Sequence, residues 1–94
     1  MYTGMGNDTP TKKIIEPVTS LYDEGKYFRI IVQLRGIPEE KIRIDLEKTT
    51  ITISVTYDGK RYKKDITIPS EARLSKKRFI NGSLELILEK SDEK

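Results

Sequence analysis

The amino-acid sequence predicts an all-β fold, an antiparallel β-sandwich of about seven strands. Apolar and polar residues alternate along most of the chain, which is the period of a strand with one buried face. Turn signals such as Asp58-Gly59 and Asn81-Gly82 separate these segments at short intervals. No segment shows the period of an amphipathic helix. Each apolar strand face therefore has to be buried against a second sheet.

Four strands are predicted in the first part of the chain, before the Asp58-Gly59 turn. They cover residues 18–22, 26–34, 41–47 and 50–57, and the loop before the third contains Gly36. In 41–47 (KIRIDLE) and 50–57 (TITISVTY), every second residue is apolar and the residues between are charged or carry a hydroxyl. Thr, Ile and Val suit the pleated, half-buried surface of such strands.

The second part of the chain predicts three more strands, at residues 60–68, 76–80 and 83–89, with residues 70–75 as a loop or a single helical turn. Lys64 has the parity of the apolar residues in 60–68. Because burying an unpaired ammonium group is costly, we expect Lys64 near a strand end or at a bulge.

The length of 94 residues indicates one domain. Residues 1–13 are polar and lack periodicity, so we expect a disordered or loosely ordered arm there. Residues 14–90 form the predicted sandwich, and residues 91–94 are expected to fray.

The composition excludes several kinds of chemistry. The chain has no Cys and no His, so it lacks disulfides, thiol nucleophiles and the commonest general base and metal ligand. No apolar run approaches the ~20 residues that span a bilayer, and the N-terminus has no signal pattern. We therefore expect a cytoplasmic protein that is not an enzyme, requires no cofactor or metal, and has no membrane partner.

Two carboxylate pairs are candidate sites of acid–base chemistry or cation binding. Asp45 and Glu47 alternate outward on one predicted strand, and Glu85 and Glu89 on another. Alternating charges on the solvated face of a strand are far commoner than such sites, so a solvated face is the preferred interpretation.

Charged residues make up 35% of the chain, with both signs mixed, a composition typical of heat-adapted proteins. The net charge is +3, and residues 60–78 contain eight Lys or Arg against two acidic residues. A basic segment can bind nucleic acid. Because few aromatic residues interleave with these charges, solvated strand faces are the preferred interpretation, and no nucleic acid is expected.

Four motifs, taken in order, resemble the α-crystallin domain of small heat-shock proteins. Residues 34–37 (LRGI) and 39–42 (EEKI) are similar to its Leu-Pro-Gly-Val loop and the strand that follows. Residues 65–69 (DITIP) resemble its strand ending in Leu-Pro, and 78–90 (RFINGSLELILEK) resemble its closing Asn-Gly hairpin. The resemblance covers about residues 16–90 and implies the same sandwich fold.

The chain also departs from the pattern of this family. Arg35 stands where the family usually has Pro, Lys77 where a small Ala is typical, and Ser83 where Val is typical. The connection at Asp58-Gly59 leaves no residues for the long loop whose strand is exchanged between partners, and the sequence has no C-terminal Ile-x-Ile motif. We therefore expect a monomer or a small oligomer, not a large shell.

The resemblance implies a binding groove lined by residues 41–47 and 76–80. Its candidate apolar lining is Ile42, Ile44, Leu46, Leu74 and Phe79. The alternative is that all five are ordinary core residues. Ile31 and Ile87 have outward parity on strands expected to be neighbours, so they are a candidate exposed apolar pair.

The resemblance implies a chaperone that holds unfolding client proteins without ATP and limits their aggregation. The alternative is an adaptor that docks on a larger chaperone or targeting ATPase. The short Asp58-Gly59 hairpin also suits the CS-domain sandwich of co-chaperones, although that family is usually marked by Trp and this chain has none. Nucleic-acid binding through residues 60–78 is a third hypothesis.

Overall fold

The computed structural model describes residues 14–91, which form two four-stranded β-sheets packed face to face. The strands are β1 (Ile14–Ile15), β2 (Thr19–Asp23), β3 (Tyr27–Gln33), β4 (Ile42–Glu47), β5 (Thr50–Tyr57), β6 (Lys60–Thr67), β7 (Ala72–Ile80) and β8 (Ser83–Lys90). The predicted all-β sandwich is confirmed. The alternation pattern did not predict β1, which has only two residues. Within these residues, no helix is long and apolar enough to cross a membrane.

The first sheet, sheet A, has the strand order β1-β6-β5-β4. Strands β4, β5 and β6 are antiparallel neighbours, and their apolar residues lie opposite one another because the register places them on one face. β1 joins the outer edge of β6 in parallel, through only two residue pairs.

The second sheet, sheet B, has the strand order β2-β3-β8-β7, and all its pairs are antiparallel. The central strands β3 and β8 bury every second residue. The core between the sheets consists of Phe28, Ile30, Val32, Leu34, Ile37, Ile51, Ile53, Val55, Ile66, Ile68, Ala72, Leu84, Leu86 and Leu88. No polar or charged residue of the described chain is fully buried, so the core is held together by apolar burial.

Strand β7 begins earlier than the sequence predicted. Residues 70–75 were expected to be a loop or a helical turn, but β7 starts at Ala72 and pairs with β8 along its whole length. A β-bulge at Ser75 interrupts the register between Leu74 and Lys76. The bulge inserts one residue that breaks the period-2 pattern, which explains why the alternation was not visible in the sequence.

The two tightest hairpins form at the Asp-Gly and Asn-Gly dipeptides, where the sequence predicted turns. Asp58 and Gly59 join β5 to β6 with φ angles of 55° and 71°, and Asn81 and Gly82 join β7 to β8 with φ angles of 52° and 79°. A two-residue turn with both φ angles positive matches the twist of a hairpin. The β5–β6 connection is therefore a tight turn, with no exchanged strand. Gly36, with φ 80°, lies in the loop after β3.

Lys64 was expected near a strand end or at a bulge, and this prediction is wrong. It lies inside β6 and pairs regularly with the buried Ile53, so its side chain starts out toward the core layer. The strand is second from the edge of sheet A, which leaves 31% of the lysine side chain exposed. Its ammonium Nζ lies 3.6 Å from a carboxylate oxygen of Glu16, which supplies the missing counter-charge.

Candidate binding groove between two edge strands

β4 and β7 border an opening between the two sheets, which we call the open side. β4 is the last strand of sheet A and β7 the last strand of sheet B, so each has one neighbour within the described residues. An edge strand presents unpaired backbone N–H and C=O groups to solvent. Ile44 of β4 and Leu74 of β7 line the same depression of about 320 Å³, so the two edges lie close together.

The five predicted lining residues are divided between these strands. Ile42, Ile44 and Leu46 lie on β4 and are half-buried against the core, as is Phe79 on β7. Leu74 is 39% exposed. Only Ile44 and Leu74 line the depression itself. The structure therefore brings these two together as an apolar floor, whereas the other three are not part of its lining.

The predicted groove strand 76–80 contains Lys76 and Lys77, but the candidate apolar lining named neither of them, and Ser75 lay outside the predicted strand. All three line the same depression. The bulge at Ser75 places them there, because it allows residues of both parities to border the opening. Lys77 lies opposite the fully buried Leu86 and therefore starts on the inward face of β7. Among the described residues, neither lysine has a carboxylate oxygen within ion-pair distance.

The opposite opening, which we call the closed side, lies between the β1–β6 edge of sheet A and β2 of sheet B. Residues 14–23, the strap, cross it: β1 adds to β6, three residues follow, and β2 adds to β3. Pro17 is buried, and the Gln33 backbone N–H donates to the Val18 carbonyl over 2.9 Å. Glu16 of the strap forms an ion pair with Lys64 of β6, so one chain segment fastens both sheets.

Ile31 and Ile87 lie on the outer face of sheet B, on the neighbouring strands β3 and β8. They are half-buried and sit diagonally, because Ile31 is opposite Glu85 and Ile87 is opposite Arg29. They are thus separate side chains within a charged face and do not form a directly opposed pair.

An ion-pair network crosses this outer face. The Arg29 guanidinium donates to Glu24 at 2.8 Å and to Glu85 at 3.2 Å, and Arg78 lies 3.4 Å from Glu85. The hydrogen bond to Glu24 is the main cause that raises the pKa of Arg29, and the charges of Glu24 and Glu85 add to it. These charged side chains pair with one another across β3, β8, β7 and the turn after β2. Their role on this face is to stabilise the fold.

At one end of the sandwich, the carboxylate of Asp23 is held by Lys90. Lys90 Nζ donates to Asp23 Oδ1 over 2.8 Å and lies 4.6 Å from the centroid of the Phe28 ring. The hydrogen bond from Lys90 and a second one from the Gly25 backbone N–H lower the pKa of Asp23. The pair closes the turn between β2 and β3 onto the last residue of β8.

The basic residues of 60–78 do not form one patch. The register places Arg61 and Lys63 on the outer face of sheet A and Lys64 toward the core layer. On β7, Lys77 starts inward while Arg78 points to the outer face of sheet B, opposite Glu85. The charge excess of the sequence is therefore distributed over both sheets.

The carboxylates that are candidates for acid–base catalysis or cation binding are also dispersed. Asp45 lies beside Thr52 on the outer face of sheet A, and the Thr52 hydroxyl donates to Asp65 over 3.0 Å. Glu85 and Glu89 are paired with arginines of neighbouring strands. Residues 14–91 contain no cluster of three acidic side chains placed to hold a metal ion.

The fold is similar to that of solved heat-shock proteins. Heat shock protein 16.0 from Schizosaccharomyces pombe has a TM-score of 0.73 at 20% sequence identity, over 85% of this chain and 91% of that chain. HSP18.5 from E. histolytica has a TM-score of 0.71 at 16% identity, over 84% and 91%. The hspA protein from Xanthomonas axonopodis has a TM-score of 0.71 at 17% identity, over 81% and 94%.

No protein-family model and no curated protein sequence matches this chain. The structural similarity covers most of the chain and establishes the class of fold: an α-crystallin domain, as in small heat-shock protein structures. The resemblance found in the sequence motifs is thereby confirmed at the level of the fold.

Proposed function

We propose that this protein is a chaperone of the small heat-shock type, which holds unfolding proteins without ATP and limits their aggregation. The observation that carries the proposal is the open side of an α-crystallin-type sandwich, where two edge strands flank the apolar floor formed by Ile44 and Leu74. The named structural neighbours, which are heat-shock proteins, support the same class of function.

Unfolding proteins expose the two features that this groove accommodates. An extended client segment can add to the free backbone edge of β4 or β7, as strands do in β-augmentation. Its alternate side chains then point toward the floor of the groove and bury apolar area. Neither step consumes nucleotide or requires a metal, so binding follows from the apolar surface that heat exposes on the client.

Light scattering of a thermolabile enzyme during heating tests this proposal. Equimolar protein without ATP should suppress the rise in scattering, and Ile44→Glu should reduce the suppression because a carboxylate would lie on the groove floor. Thr56→Glu is the control, since Thr56 is exposed on β5 away from the groove. If a folded Ile44→Glu variant suppressed scattering fully, the groove would not be the site that binds clients.

An adaptor role is the second candidate, favoured by the tight Asp58-Gly59 hairpin. In this role the same groove docks a segment of a larger chaperone or targeting ATPase. Unchanged scattering with the protein still folded would favour it, and binding to a purified chaperone ATPase would then be measured by calorimetry.

We further propose a monomer or small oligomer, since the tight β5–β6 turn has no strand to exchange. Size-exclusion chromatography with light scattering should show a small species, and a large multi-subunit shell would contradict this. Ile31 and Ile87 remain a predicted secondary contact surface, which Ile87→Glu would weaken without unfolding the domain.

A further inference from the structure

The outer faces of the two sheets carry their charges in different arrangements. On sheet B, Arg29 and Arg78 lie beside the glutamates that they contact, so unlike charges pair within the chain. On sheet A, the only residue of β4, β5 or β6 in an ion pair of residues 14–91 is Lys64, which starts toward the core layer. The charges on the outer face of sheet A therefore have no ion-pair partner in the described chain.

The register of sheet A sorts these charges into rows that cross β4, β5 and β6. One row is basic and consists of Arg43, Ser54 and Lys63. The next row, two residues further along β4, is acidic and consists of Asp45, Thr52 and Asp65. The charged side chains of both rows are exposed, and the middle strand contributes only hydroxyl groups to them.

The residues beyond these two rows extend the same division. On the basic side, Arg61 follows on β6, and Lys41 precedes β4 with the parity of the basic row. On the acidic side, Glu47 ends β4. All three are exposed. One half of this face is thus positive and the other half negative.

We propose that the outer face of sheet A binds the same face of a second copy of this chain, in a two-fold dimer that places the basic row of each copy over the acidic row of the other. The required axis lies in the interface, between the two rows and parallel to them. Arg43 of one copy then faces Asp45 of the second copy, and Lys63 faces Asp65 in the same way. Sheets that pack face to face keep their strand directions within about 30°, so the rows can stay aligned across three strands.

The charge pattern favours a second copy over a polyanion such as nucleic acid. Rows two residues apart on a strand are separated by only about 7 Å. A polyanion drawn to Arg43 and Lys63 would therefore also meet the repulsion of Asp45 and Asp65. The paired strands of this face also present no aromatic side chain outward on which a base could stack. A second copy, by contrast, supplies counter-charges to both halves at once.

The expected dimer is weak, because the face is small and its charges are solvated. Strands of six to eight residues are the longest elements of this face, and three of them cover roughly 15 by 25 Å. The two copies together would bury less than about 1,200 Å², which is the range of weak complexes. We therefore expect a Kd on the order of 0.1–1 mM at low ionic strength. Added sodium chloride should weaken the dimer, because salt screens exposed charges.

Sedimentation equilibrium of the full chain at concentrations around this Kd tests the inference, together with two double variants. Asp45→Lys with Asp65→Lys makes both central rows basic, and Arg43→Glu with Lys63→Glu makes both acidic. Neither variant should dimerise alone, because like charges would face each other. An equimolar mixture of the two should form a heterodimer, because opposite charges face each other again.

A third double variant controls for net charge. Lys26→Glu with Lys76→Glu makes the same charge change as the acidic variant, in the turn after β2 and on the outer face of sheet B. It should dimerise as the unmodified chain does. Circular dichroism verifies that each variant is folded, and the salt dependence of the unmodified chain tests the charge pairing without any substitution.

Several results would overturn the inference. They are an unmodified chain that stays monomeric, a dimer that salt does not weaken, a dimer retained by either charged-face variant alone, and a mixture of folded variants that stays monomeric. Binding of a single-stranded DNA oligonucleotide without dimerisation would instead make the face a polyanion site. None of these results bears on client binding, because Ile44 and Leu74 lie at the open side and not on this face.

Discussion

The two openings of this sandwich differ in what covers them. On the closed side, the strap runs from β1 on sheet A to β2 on sheet B and brings Glu16 to Lys64. On the open side, β4 and β7 face each other with no described segment across them, and Ile44, Leu74 and Lys77 line the gap. The same two sheets are thus fastened at one edge and accessible at the other.

In the proposed function, this difference combines a stable core with a surface that is available to clients. The apolar core is continuous through the centre, where β3, β5 and β8 bury alternate residues almost completely. Residues toward the open side are only half-buried, so they add less to folding and leave apolar area exposed to solvent. The predictions below test whether the two sides are as different as the structure indicates.

The largest expected effect comes from Gly82→Val, which disturbs the hairpin carrying the β7 wall of the open side. Gly82 has φ 79°, and a Cβ built there would lie 2.9 Å from the Cα of Arg35. The Gly82 carbonyl also accepts a 2.7 Å hydrogen bond from the Leu34 N–H. We expect a loss of about 3 kcal/mol or more in the free energy of unfolding, measured by urea denaturation.

Gly59→Val is the control for the close contact. Gly59 has a similar φ of 71° in the other tight hairpin, but no atom lies within 4 Å of its would-be Cβ. It should therefore lose only the backbone-strain part, about 1–2 kcal/mol. Equal losses in the two variants would show that the Arg35 contact adds nothing.

A matched pair of leucines separates binding from stability. Leu74 on β7 is 39% exposed and Leu21 on β2 is 40% exposed, and both have inward register on edge strands of sheet B. Leu74→Glu and Leu21→Glu should each cost about 1–2 kcal/mol of stability, because each leucine is partly buried. Only Leu74→Glu should weaken suppression of client aggregation, since only Leu74 lines the groove.

The readouts are thermal unfolding and the heated-enzyme scattering assay, carried out below the melting temperature of both variants. If Leu21→Glu abolished suppression as completely as Leu74→Glu, the closed side would also bind clients. The distinction between the two openings would then have no functional meaning.

Most of the strands could be predicted from the sequence, but β1 and the first part of β7 could not. β3, β4, β5, β6 and β8 lie within a residue or so of their predicted bounds, because period-2 alternation reports a sheet with one buried face. β1 has only two residues, too few to show a period. In β7 the bulge at Ser75 shifts the pattern by one position, so its first residues looked like a loop.

The groove was predictable only in part, for the same physical reason. Alternation and the motif resemblance pointed to Ile44 and Leu74, which meet in the structure. The location of Lys76 and Lys77 at the same depression depends on the bulge and on which strands become edges. Both are products of sheet pairing across distant parts of the chain, which local patterns do not contain.

The smallest expected effect concerns the acid dependence of stability. The strap carries two carboxylates that pair with lysines, Glu16 with Lys64 and Asp23 with Lys90. Among residues 14–91, the lysines of the open side have no carboxylate partner. The hydrogen bond from Lys90 lowers the pKa of Asp23 below its value in the unfolded chain. The stabilisation by this carboxylate is therefore fully present above a pH of about 4, and it is lost as the pH falls through the lower folded-state pKa.

Asp23→Asn should slightly lower the melting temperature at neutral pH and flatten its decline in acid, as followed by circular dichroism from neutral pH downward. Asp45→Asn is the control, because Asp45 lies on the outer face of sheet A and forms no ion pair among the described residues. Both proteins lose one carboxylate, so the difference between them isolates the contact with Lys90. Superimposable curves for the two variants would show that the contact between Asp23 and Lys90 adds nothing to the stability of the domain, and that the strap is held by its other contacts: backbone pairing, the burial of Pro17 and the pair of Glu16 with Lys64.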